Sequence, residues 1–336
     1  MSPRTLLIVN PHGGRGAALR RWRRAEPRVR RALPGAEVEL TRAPGDAERL
    51  AREAVRAGVE RVVVAGGDGT LNEVVCGLLG AELGGYAELA LLPLGTGCDF
   101  ARSLGVPRDP EAAVALLDGA VARDVDAGCV RYRDGGGAPR ERYFLNAASL
   151  GVSSLALKLA NRVPQQLGAS VAFALGTGAA LLRHRSRRVV LRVDGECVAD
   201  GPLVLAAVAS GRYFGGGMQV APEACLDDAQ FDVVSVDGIA APRLLWKLPK
   251  IYRGVHLKDP IVKHWRGRRI EAEAPDGEVL IEADGELLGR LPAEIEVLPA
   301  ALRVLGPAPT SAPRGLGPAP TSAPRGLGRA RPAAPR

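Results

Sequence analysis

One segment constrains the fold of this chain more than any other, a run of β-branched residues that leads directly into a glycine-rich loop. Residues 62–73 read VVVAGGDGTLNE. The valines predict a buried strand, the glycines predict a tight loop, and the residues after them predict the start of a helix. A strand, a loop and a helix in this order indicate an α/β unit, and therefore a parallel sheet.

The same segment has the properties of a phosphate-binding loop. Glycine lets the backbone adopt a positive φ and approach an anion closely, and a helix N-terminus offers unpaired N–H groups to negative charge. The segment matches neither the P-loop, which needs Gly-Lys-Ser/Thr, nor the dinucleotide glycine pattern. In the alternative interpretation the glycines make an ordinary turn, and Thr70 and Glu73 form a capping box that only starts the helix.

A second loop of this kind follows the next predicted strand. Residues 91–100 read LLPLGTGCDF and precede another helical pattern. Because the first 120 residues alternate strands and helices, we predict a doubly wound α/β domain with both loops at the carboxyl edge of its sheet. Asn10 follows the first strand and could hold a loop or a nucleotide at this edge, whereas His12 is expected to be a solvated loop residue.

The pattern changes after about residue 123, where most predicted strands follow one another without regular helices between them. We therefore predict an α/β domain over residues 1–123 and a β-rich domain over residues 124–305, the last segment of which could return to the first domain. Residues 306–336 contain the unit GPAPTSAPRGL twice in succession. A segment so rich in Pro, Gly and Ala cannot bury a core, and we expect it to be disordered.

Two acidic segments of the β-rich part are candidate functional sites. Residues 225–232 read CLDDAQFD, and clustered Asp with nearby carbonyls suits a hard cation such as Mg²⁺, although a solvated acidic turn fits equally well. In an extended chain Glu282, Asp284 and Glu286 would share one side. One of them could then be a general base, and a plain hairpin turn is the alternative.

The net charge of +8 is concentrated in two segments. Residues 11–34 carry +7 and residues 306–336 carry +5, so the rest of the chain is acidic. With no DNA-binding motif, we expect no nucleic-acid partner. The longest nearly uncharged apolar run, residues 171–182, is shorter than the roughly 20 residues that cross a bilayer, and the five cysteines are scattered. We expect a cytoplasmic protein with reduced thiols.

Taken together, the motifs resemble those of the diacylglycerol kinase catalytic-domain family, the bacterial soluble lipid kinases related to sphingosine and ceramide kinases. The matching segments occur in the family's order over roughly residues 5–300. They are Val9–Pro11, Gly66–Thr70 with Asn72 and Glu73, Pro93–Thr96 with Asp99 and Phe100, Phe144–Asn146 with Gly151, Gly215–Pro222, and Asp284–Glu286.

The resemblance implies an α/β nucleotide domain similar to that of NAD kinases, followed by a β-sandwich domain, with ATP in the cleft between them. It implies that Asp68 helps to hold catalytic Mg²⁺ and that Glu286 accepts the substrate proton, with Asp284 as its rival. It also implies a metal site formed by Asp228 with backbone carbonyls of Cys225 and Gln230. The candidate nucleotide-binding residues are Asn10, Thr41, Gly66, Gly67, Asp68, Gly69, Thr70, Leu71, Asn72 and Thr96.

Two residues depart from the family pattern. Cys98 stands where the family usually has Asn, which removes a side-chain amide from that loop or changes a substrate contact. Ala229 follows Asp228 where the family has Gly. If that turn requires a positive φ, Ala strains it by roughly 1 kcal/mol, and the predicted metal site is weakened.

We therefore expect ATP-dependent phosphorylation of a lipid hydroxyl, on diacylglycerol, phosphatidylglycerol or a sphingoid base. A homodimer and peripheral contact with an anionic membrane are also expected, the latter through Arg20–Arg31, Arg183–Arg192 or Lys263–Arg269. One alternative is an NAD kinase-like enzyme, which the Gly215–Pro222 motif disfavours. The other is a catalytically lapsed protein that binds a nucleotide and associates with membranes.

Overall fold

The structure is a computed structural model of the chain. It describes residues 3–13, 16–160, 163, 169–183, 185–238 and 241–308. The side chains of residues 169–174 and 241–246 are outside this description. Residues 309–336, which hold nearly all of the predicted disordered tail, lie outside the described residues.

The first half is built on a parallel sheet with a buried apolar interior. Its strands pair in the order β2–β1–β3–β4, so their carboxyl ends lie along one edge. Because β1 and β3 are central, both consist almost wholly of buried apolar residues. The four strands are β1 (Thr5–Val9), β2 (Glu37–Leu40), β3 (Arg61–Gly66) and β4 (Glu88–Pro93).

Five helices flank this sheet. In α1, Ala18, Trp22, Ala25 and Val29 are buried at helical spacing, which leaves the arginines between them on the exposed side. In α3 eight of the twelve residues are buried, as expected for a helix largely enclosed by the rest of the fold. The helices are α1 (Ala17–Ala32), α2 (Asp46–Arg56), α3 (Asp68–Leu79), α4 (Asp99–Leu104) and α5 (Pro110–Leu116).

The second half is mainly antiparallel β-structure. Its strands are β5 (Val121–Arg133), β6 (Pro139–Phe144), β7 (Ala147–Gly151), β8 (Arg187–Val193), β9 (Glu196–Ala209), β10 (Phe231–Asp237), β11 (Val262–Gly267), β12 (Arg269–Glu273), β13 (Leu280–Ala283) and β14 (Glu286–Gly306). Three helices interrupt them: α6 (Val152–Ala160), α7 (Ala169–Arg183) and α8 (Ala241–Tyr252).

Six of these strands form a closed ring of hydrogen-bonded neighbours. Pairing runs from β9 through β7, β13, β14, β12 and β8 and returns to β9, because the long strands β9 and β14 each pair on both sides of the ring. The enclosed core is aliphatic, with Phe144 stacked on Phe231 at 5.7 Å between ring centroids. This closed layer is the scaffold for one wall of the site described below.

Strand β14 joins the two halves. It pairs with β13, β12 and β5, and near its end Arg303 and Val304 pair in parallel with β4. The sheet of the first half is therefore continuous with that of the second. The sequence did not predict α6 or β11. It also predicted one strand over residues 142–147, where the structure has two strands separated at Leu145 and Asn146.

Candidate active site: a cleft between the two halves

A cleft with a volume of about 220 Å³ lies between the carboxyl edge of the parallel sheet and the β-rich half. From the first half it is lined by Asp68, Leu71, Thr96, Gly97, Asp99 and Phe100. From the second half it is lined by Asn146, Ala147, Ser153, Leu157, Phe214, Gly215, Gly216, Glu282, Asp284 and Gly285. Both predicted phosphate loops and the Asp284 segment thus contribute to one cavity.

The two glycine-rich loops are in direct contact at the head of the cleft. The carbonyl of Gly66 accepts hydrogen bonds from the amides of Leu94 and Gly95, at 2.9 and 3.2 Å. A Cβ on Gly66 would lie 2.6 Å from Thr70 Oγ1, and a Cβ on Gly95 would lie 2.7 Å from Gly67 Cα. Glycine is therefore required for close packing between the loops and α3.

The positive φ predicted for the glycines at residues 66–69 is wrong. None of Gly66, Gly67 and Gly69 has a positive φ, and helix α3 begins at Asp68 with Gly67 as its N-cap. The capping box is also wrong, because Thr70 Oγ1 accepts from Asn10 Nδ2 at 2.9 Å and Glu73 accepts from the amide of Ala47. Asn10 thus ties the first loop to α3.

The remaining candidate nucleotide residues lie along the same edge. Thr41 directly follows β2, and its amide donates to the carbonyl of Val9 at 2.9 Å. Leu71 and Thr96 line the cleft, and Gly69 is exposed in the first turn of α3. Asn72 is buried instead, and its amide donates to Asp284 Oδ2 and to the carbonyl of Tyr143, so it joins the two halves rather than facing the cavity. Their contacts with a nucleotide stay predictions.

Asp68 and Asp99 form a pair of carboxylates in the cleft. Asp68 accepts from the amides of Asp99 and Phe100 at 3.2 and 3.3 Å, which caps α4. Burial raises the pKa of Asp68, and burial together with the charge of Asp68 raises the pKa of Asp99 to about 6. Asp99 belongs to the second glycine-rich motif, residues 91–100, but is not among the predicted site residues.

The donor set of this pair fits a magnesium ion. Asp99 Oδ2 accepts from the amide of Gly216 at 2.7 Å, whereas Oδ1 is buried without a hydrogen-bond partner among the described residues. Arg102 approaches that oxygen at 3.7 Å. Magnesium in proteins is commonly held by one or two carboxylates and by substrate phosphates. Asp68 and Asp99 are therefore the residues that would hold it.

The loop that reaches Asp99 from the β-rich half does require glycine. Gly215, Gly216 and Gly217 have φ values of 68°, 82° and 106°. Only glycine adopts a positive φ at three consecutive positions without strain. The resulting turn directs the amide of Gly216 at Asp99.

Asp284 is half-buried at the meeting point of the two halves. Its carboxylate accepts from the amides of Leu145, Asn146 and Ala147 at 2.8–3.1 Å and from the Asn72 side chain at 3.1 Å. Burial raises its pKa, while these donors oppose that shift. The amides bound by Asp284 belong to the segment between β6 and β7, which explains why a single strand does not form there.

Glu286 lies outside the cleft lining. Asp284 and Gly285 have φ values of 47° and 83°, so residues 283–286 form a tight hairpin turn. The extended arrangement that would put Glu282, Asp284 and Glu286 on one side is therefore absent. Glu286 pairs with Arg142 at 2.8 Å, whereas Glu282 and Asp284 line the cleft. The role of Glu286 as proton acceptor stays a prediction.

Ser153 lines the cleft without being a predicted site residue, whereas Glu282 is one of the three carboxylates among which the sequence leaves the general base open. Glu282 is almost fully buried, and its carboxylate contacts the hydroxyl of Ser149 and the amide of Gly285. Burial raises the pKa of Glu282 to about 7, with a smaller contribution from the charge of Asp284. Asn146 is also missing from the predicted set, and its buried Oδ1 has no hydrogen-bond partner among the described residues. Glu282 is recognisable in the sequence as a Glu within a predicted buried strand, whereas no local sequence pattern indicates a role for Ser153.

In the predicted metal site, the negative charge of Asp228 is already paired with the guanidinium of Arg266. Asp228 Oδ2 is paired with the guanidinium of Arg266, and Oδ1 accepts from the amide of Gln230 at 3.2 Å. Ala229 has a φ of 57°, so this turn does require the left-handed conformation that Gly adopts more easily. Arg266 thus takes the position of a cation beside Asp228, and the metal site of Asp228, Cys225 and Gln230 stays a prediction.

A second cavity of about 90 Å³ adjoins the cleft. Ser153 and Phe214 line both cavities. The second is bounded mainly by apolar side chains of β9, β10, α6, α7 and α8, including Val204, Val234 and Ile251. Lys247 and Lys250 of α8 also line it and both contact Asp259. A cavity that contains carboxylates, with an apolar annex, suits a ligand that carries both a polar group and a hydrocarbon chain.

Comparisons with known proteins identify the family to which this fold and cleft belong. The family model "Diacylglycerol kinase catalytic domain" matches residues 4–130. The model "YegS C-terminal NAD kinase beta sandwich-like domain" matches residues 146–306.

Relatives match along nearly the whole chain. A diacylglycerol kinase of Mycobacterium tuberculosis (strain CDC 1551 / Oshkosh) is 33% identical over 304 residues, which cover 89% of this chain and 94% of that protein. A probable lipid kinase YegS-like of Klebsiella pneumoniae (strain 342) is 34% identical, with 90% and 95% covered. The crystal structure of a putative diacylglycerol kinase from Bacillus anthracis str. Sterne superposes with a TM-score of 0.74 at 25% identity, covering 90% and 95%.

The chain therefore belongs to the diacylglycerol kinase family of lipid kinases, which are phosphotransferases that use ATP. The predicted fold class, an α/β half followed by a β-sandwich-like half, is confirmed. The predicted lipid kinase activity is confirmed at the level of the family. Among the described residues, no helix is both long and apolar enough to cross a membrane.

Proposed function

We propose that this protein transfers the γ-phosphate of ATP to a hydroxyl group of a membrane lipid, diacylglycerol or a related lipid such as phosphatidylglycerol or a sphingoid base. The observation that carries the proposal is the shared wall of the two cavities. A nucleotide at the glycine loops would place its phosphates in the cleft beside Asp68 and Asp99, and an acyl chain would enter the apolar annex beyond Ser153 and Phe214. The reacting hydroxyl then lies between them.

The residues of the cleft suit phosphoryl transfer, where catalysis depends mainly on alignment and charge neutralisation. The loops at Gly66–Gly67 and Gly95–Gly97 pack against each other at the head of the cleft, where they would contact the nucleotide phosphates. A magnesium ion held by Asp68 and Asp99 would neutralise phosphate charge. Asp284 holds the segment at Leu145–Ala147 through three backbone amides and contacts the first half through the side chain of Asn72.

The test is a transfer assay with the purified full chain, Mg²⁺ and ATP labelled in the γ-phosphate. The acceptors are diacylglycerol, phosphatidylglycerol, a sphingoid base and a long-chain alcohol, each in mixed micelles. We expect label in the organic phase with at least one acceptor, and loss of that label in Asp68→Asn. A folded protein that labels none of the four overturns the proposal. NADP formation from NAD is measured in parallel and is expected to be absent.

We also propose that the protein reaches an anionic bilayer through a surface on α7 and α8, named here the α7–α8 face. It comprises Leu175, Leu182 and Arg183 of α7, the nearby Arg185 and Arg187, and Tyr252 at the end of α8. Leu175 and Leu182, seven residues apart on one side of α7, are 51% and 67% exposed, and Tyr252 is 51% exposed. Arg183, Arg185 and Arg187 line one cavity of about 290 Å³.

Large exposed apolar side chains distinguish this face from the other two predicted clusters, which have none among the described residues. On α1, Arg24 and Arg28 pair with Glu111, and Arg21 donates to the carbonyls of Leu94 and Gly95. In the Lys263–Arg269 cluster, Arg266 and Arg269 both pair with carboxylates. Within the part of the chain that the structure describes, Arg183, Arg185 and Arg187 have no acidic partner within 4.0 Å. The annex is also lined by Leu181 and Thr177 of α7.

Vesicle sedimentation tests the α7–α8 face. The variant Arg183→Gln/Arg185→Gln/Arg187→Gln is expected to bind phosphatidylcholine vesicles containing phosphatidylglycerol roughly 100-fold more weakly, since each basic residue contributes about 1 kcal/mol. The matched control Arg20→Gln/Arg23→Gln/Arg31→Gln removes the same charge from α1 and is expected to bind like the unchanged protein. Equal binding of the unchanged protein to pure phosphatidylcholine contradicts the proposal.

Two further partner predictions rest on the resemblance and the charge distribution alone. A homodimer is expected, and analytical ultracentrifugation at several concentrations measures it. No binding to duplex or single-stranded nucleic acid is expected, and fluorescence anisotropy at physiological salt tests this.

A further inference from the structure

Two buried polar atoms in the wall of the apolar annex have no hydrogen-bond partner among the described residues. They are His256 Nδ1 and Thr177 Oγ1. His256 is only 4% exposed and lies in the turn between α8 and β11, whereas Thr177 lies on α7. Both residues line the annex. Because a buried polar atom without a partner is destabilising, a ligand that pairs with these atoms is bound more tightly than one that does not.

The hydrogen bond on the other side of the His256 ring fixes what its partner in the annex has to be. His256 Nε2 lies 2.9 Å from the carbonyl of Val220. A carbonyl can only accept, so Nε2 carries the proton. Burial lowers the pKa of His256, so the ring is neutral at neutral pH. In a neutral ring protonated at Nε2, Nδ1 is an acceptor, and its partner must be an O–H or N–H group.

In the part of the chain that the structure describes, no group around the annex supplies this donor. Lys247 and Lys250 are the two cationic lining residues, and both contact Asp259. The hydroxyl of Ser153 is hydrogen-bonded to a neighbouring serine at 2.7 Å. Apart from these and the unpartnered threonine, the lining side chains around His256 are apolar. The donor therefore has to arrive with the ligand.

One short loop connects His256 to the carboxylates of the cleft. The amide of Gly216 donates to Asp99 at 2.7 Å, and the carbonyl of Val220, further along the same loop, accepts from His256. Phe214, from this loop as well, lines both cavities. A lipid that pairs with His256 is therefore held in a defined position relative to the cleft.

We propose that His256 and Thr177 recognise a second polar group of the lipid acceptor, an O–H or N–H group other than the hydroxyl that is phosphorylated. This inference rests on the proposed function and narrows its substrate class. The second group donates to His256 Nδ1. The hydroxyl of Thr177 accepts from the same group or donates to a carbonyl of the lipid, since a hydroxyl can do either.

The resulting preference between lipids is one of degree. Diacylglycerol has no donor besides the reacting hydroxyl, so it fills the apolar lining but leaves His256 Nδ1 unpaired. A sphingoid base has an amino group and a second hydroxyl, and phosphatidylglycerol has a second hydroxyl. A lipid of the latter kind gains a buried hydrogen bond in the annex, which corresponds to a preference of roughly 10-fold.

The experiment compares matched acceptors in the transfer assay, with the purified full chain and saturating Mg-ATP. The members of each pair differ in one donor. The pairs are monohexadecylglycerol and its methyl ether at the central hydroxyl, sphinganine and its analogue without the second hydroxyl, and diacylglycerols with and without a hydroxyl on one acyl chain. In at least one pair we expect kcat/KM to be roughly 10-fold higher for the lipid with the donor, mainly through a lower KM.

Variants of the two residues separate recognition from a structural role. His256→Phe keeps a ring but removes both nitrogens, and it is expected to lower kcat/KM roughly 10-fold for the lipid with the donor while keeping it for the matched lipid without one. A merely structural role would lower both values together. His256→Gln keeps a donor for the carbonyl of Val220 and an acceptor oxygen, and it is expected to restore part of the preference.

A second variant and a control cover the case in which His256→Phe fails to fold. Thr177→Val removes a hydroxyl that has no partner among the described residues, so it is expected to reduce the preference without a loss of stability. Ile251→Leu changes an apolar side chain of the same annex by a volume-conserving swap and is expected to leave the preference unchanged.

The outcomes distinguish this recognition from the proposed function. An active protein that phosphorylates both members of every pair equally well, or a preference that survives in folded His256→Phe and Thr177→Val, overturns the recognition and leaves the lipid kinase intact. A folded unchanged protein that labels no lipid overturns the proposed function, and the recognition with it.

Discussion

Two alanines carry backbone strain on opposite sides of one buried carboxylate. Ala229 and Ala300 have φ values of 57° and 50°, and their amides donate to the two oxygens of Asp126 at 2.6 and 2.8 Å. Asp126 is 3% exposed. The hydrogen bonds to Asp126 therefore hold both alanines in a conformation that L-residues adopt at a cost.

Replacing either strained alanine with glycine is expected to stabilise the protein. Ala229→Gly and Ala300→Gly should each raise the free energy of unfolding by about 1 kcal/mol, because glycine adopts positive φ without strain. Urea unfolding measures the change. Ala120→Gly is the control, since Ala120 has a φ of −68° and glycine there should lower stability. A loss of stability in Ala229→Gly would show that the turn is not strained.

Cys98 is a third non-glycine residue in the left-handed region, which its side chain disfavours. It has a φ of 51° and ψ of 48° at the start of α4, and its Sγ lies 3.9 Å from the carbonyl of Gly66. Asn tolerates this region better than Cys, and its amide could donate to that carbonyl. Cys98→Asn is expected to raise the free energy of unfolding by about 1 kcal/mol, measured by urea unfolding. Cys98→Ala keeps the strain and should give no gain.

At the scale of elements, the β13–β14 hairpin gives its two turn carboxylates different environments. Asp284→Ala leaves three buried amides and the Asn72 side chain without an acceptor, and is expected to cost roughly 3–5 kcal/mol of unfolding free energy. Glu286→Ala removes a pair whose Glu side chain is 40% exposed and should cost no more than about 1 kcal/mol. Chemical denaturation of both variants compares them, and equal losses would contradict this assignment.

The sequence pattern predicted those elements whose formation depends on residues close together in the chain. The buried valine run of β3 and the Asp109 N-cap of α5 are present, and Asp109 accepts from the amide of Ala112 at 3.0 Å. The break between β6 and β7 could not be predicted, because the acceptor for its amides, Asp284, is 137–139 residues away in the chain. Ser153 was missed because the cleft it lines forms only through tertiary packing, which brings its neighbour Ser149 to Glu282, 133 residues away.

At the scale of the whole molecule, the folded core is expected to be independent of the C-terminal repeats. Strand β14 ends at Gly306, and deleting residues 309–336 lowers the net charge from +8 to +3 without removing a described contact. We expect unchanged stability and unchanged vesicle binding through the α7–α8 face. Deleting residues 302–336 as a control also removes buried Leu302, Val304 and Leu305 and should prevent folding. Lost vesicle binding in the shorter deletion would assign docking to the tail.

The pairing of β14 with β4 also has a consequence for the order in which this protein can be made. A ribosome releases residues 88–93 long before it has added Arg303 and Val304, which pair with them. Until then the parallel sheet of the nascent chain has an open edge at β4, next to the loop that contacts nucleotide phosphates in the proposed mechanism. Open edges invite pairing with other chains. Chaperone dependence during translation should therefore persist until almost all of β14 has emerged.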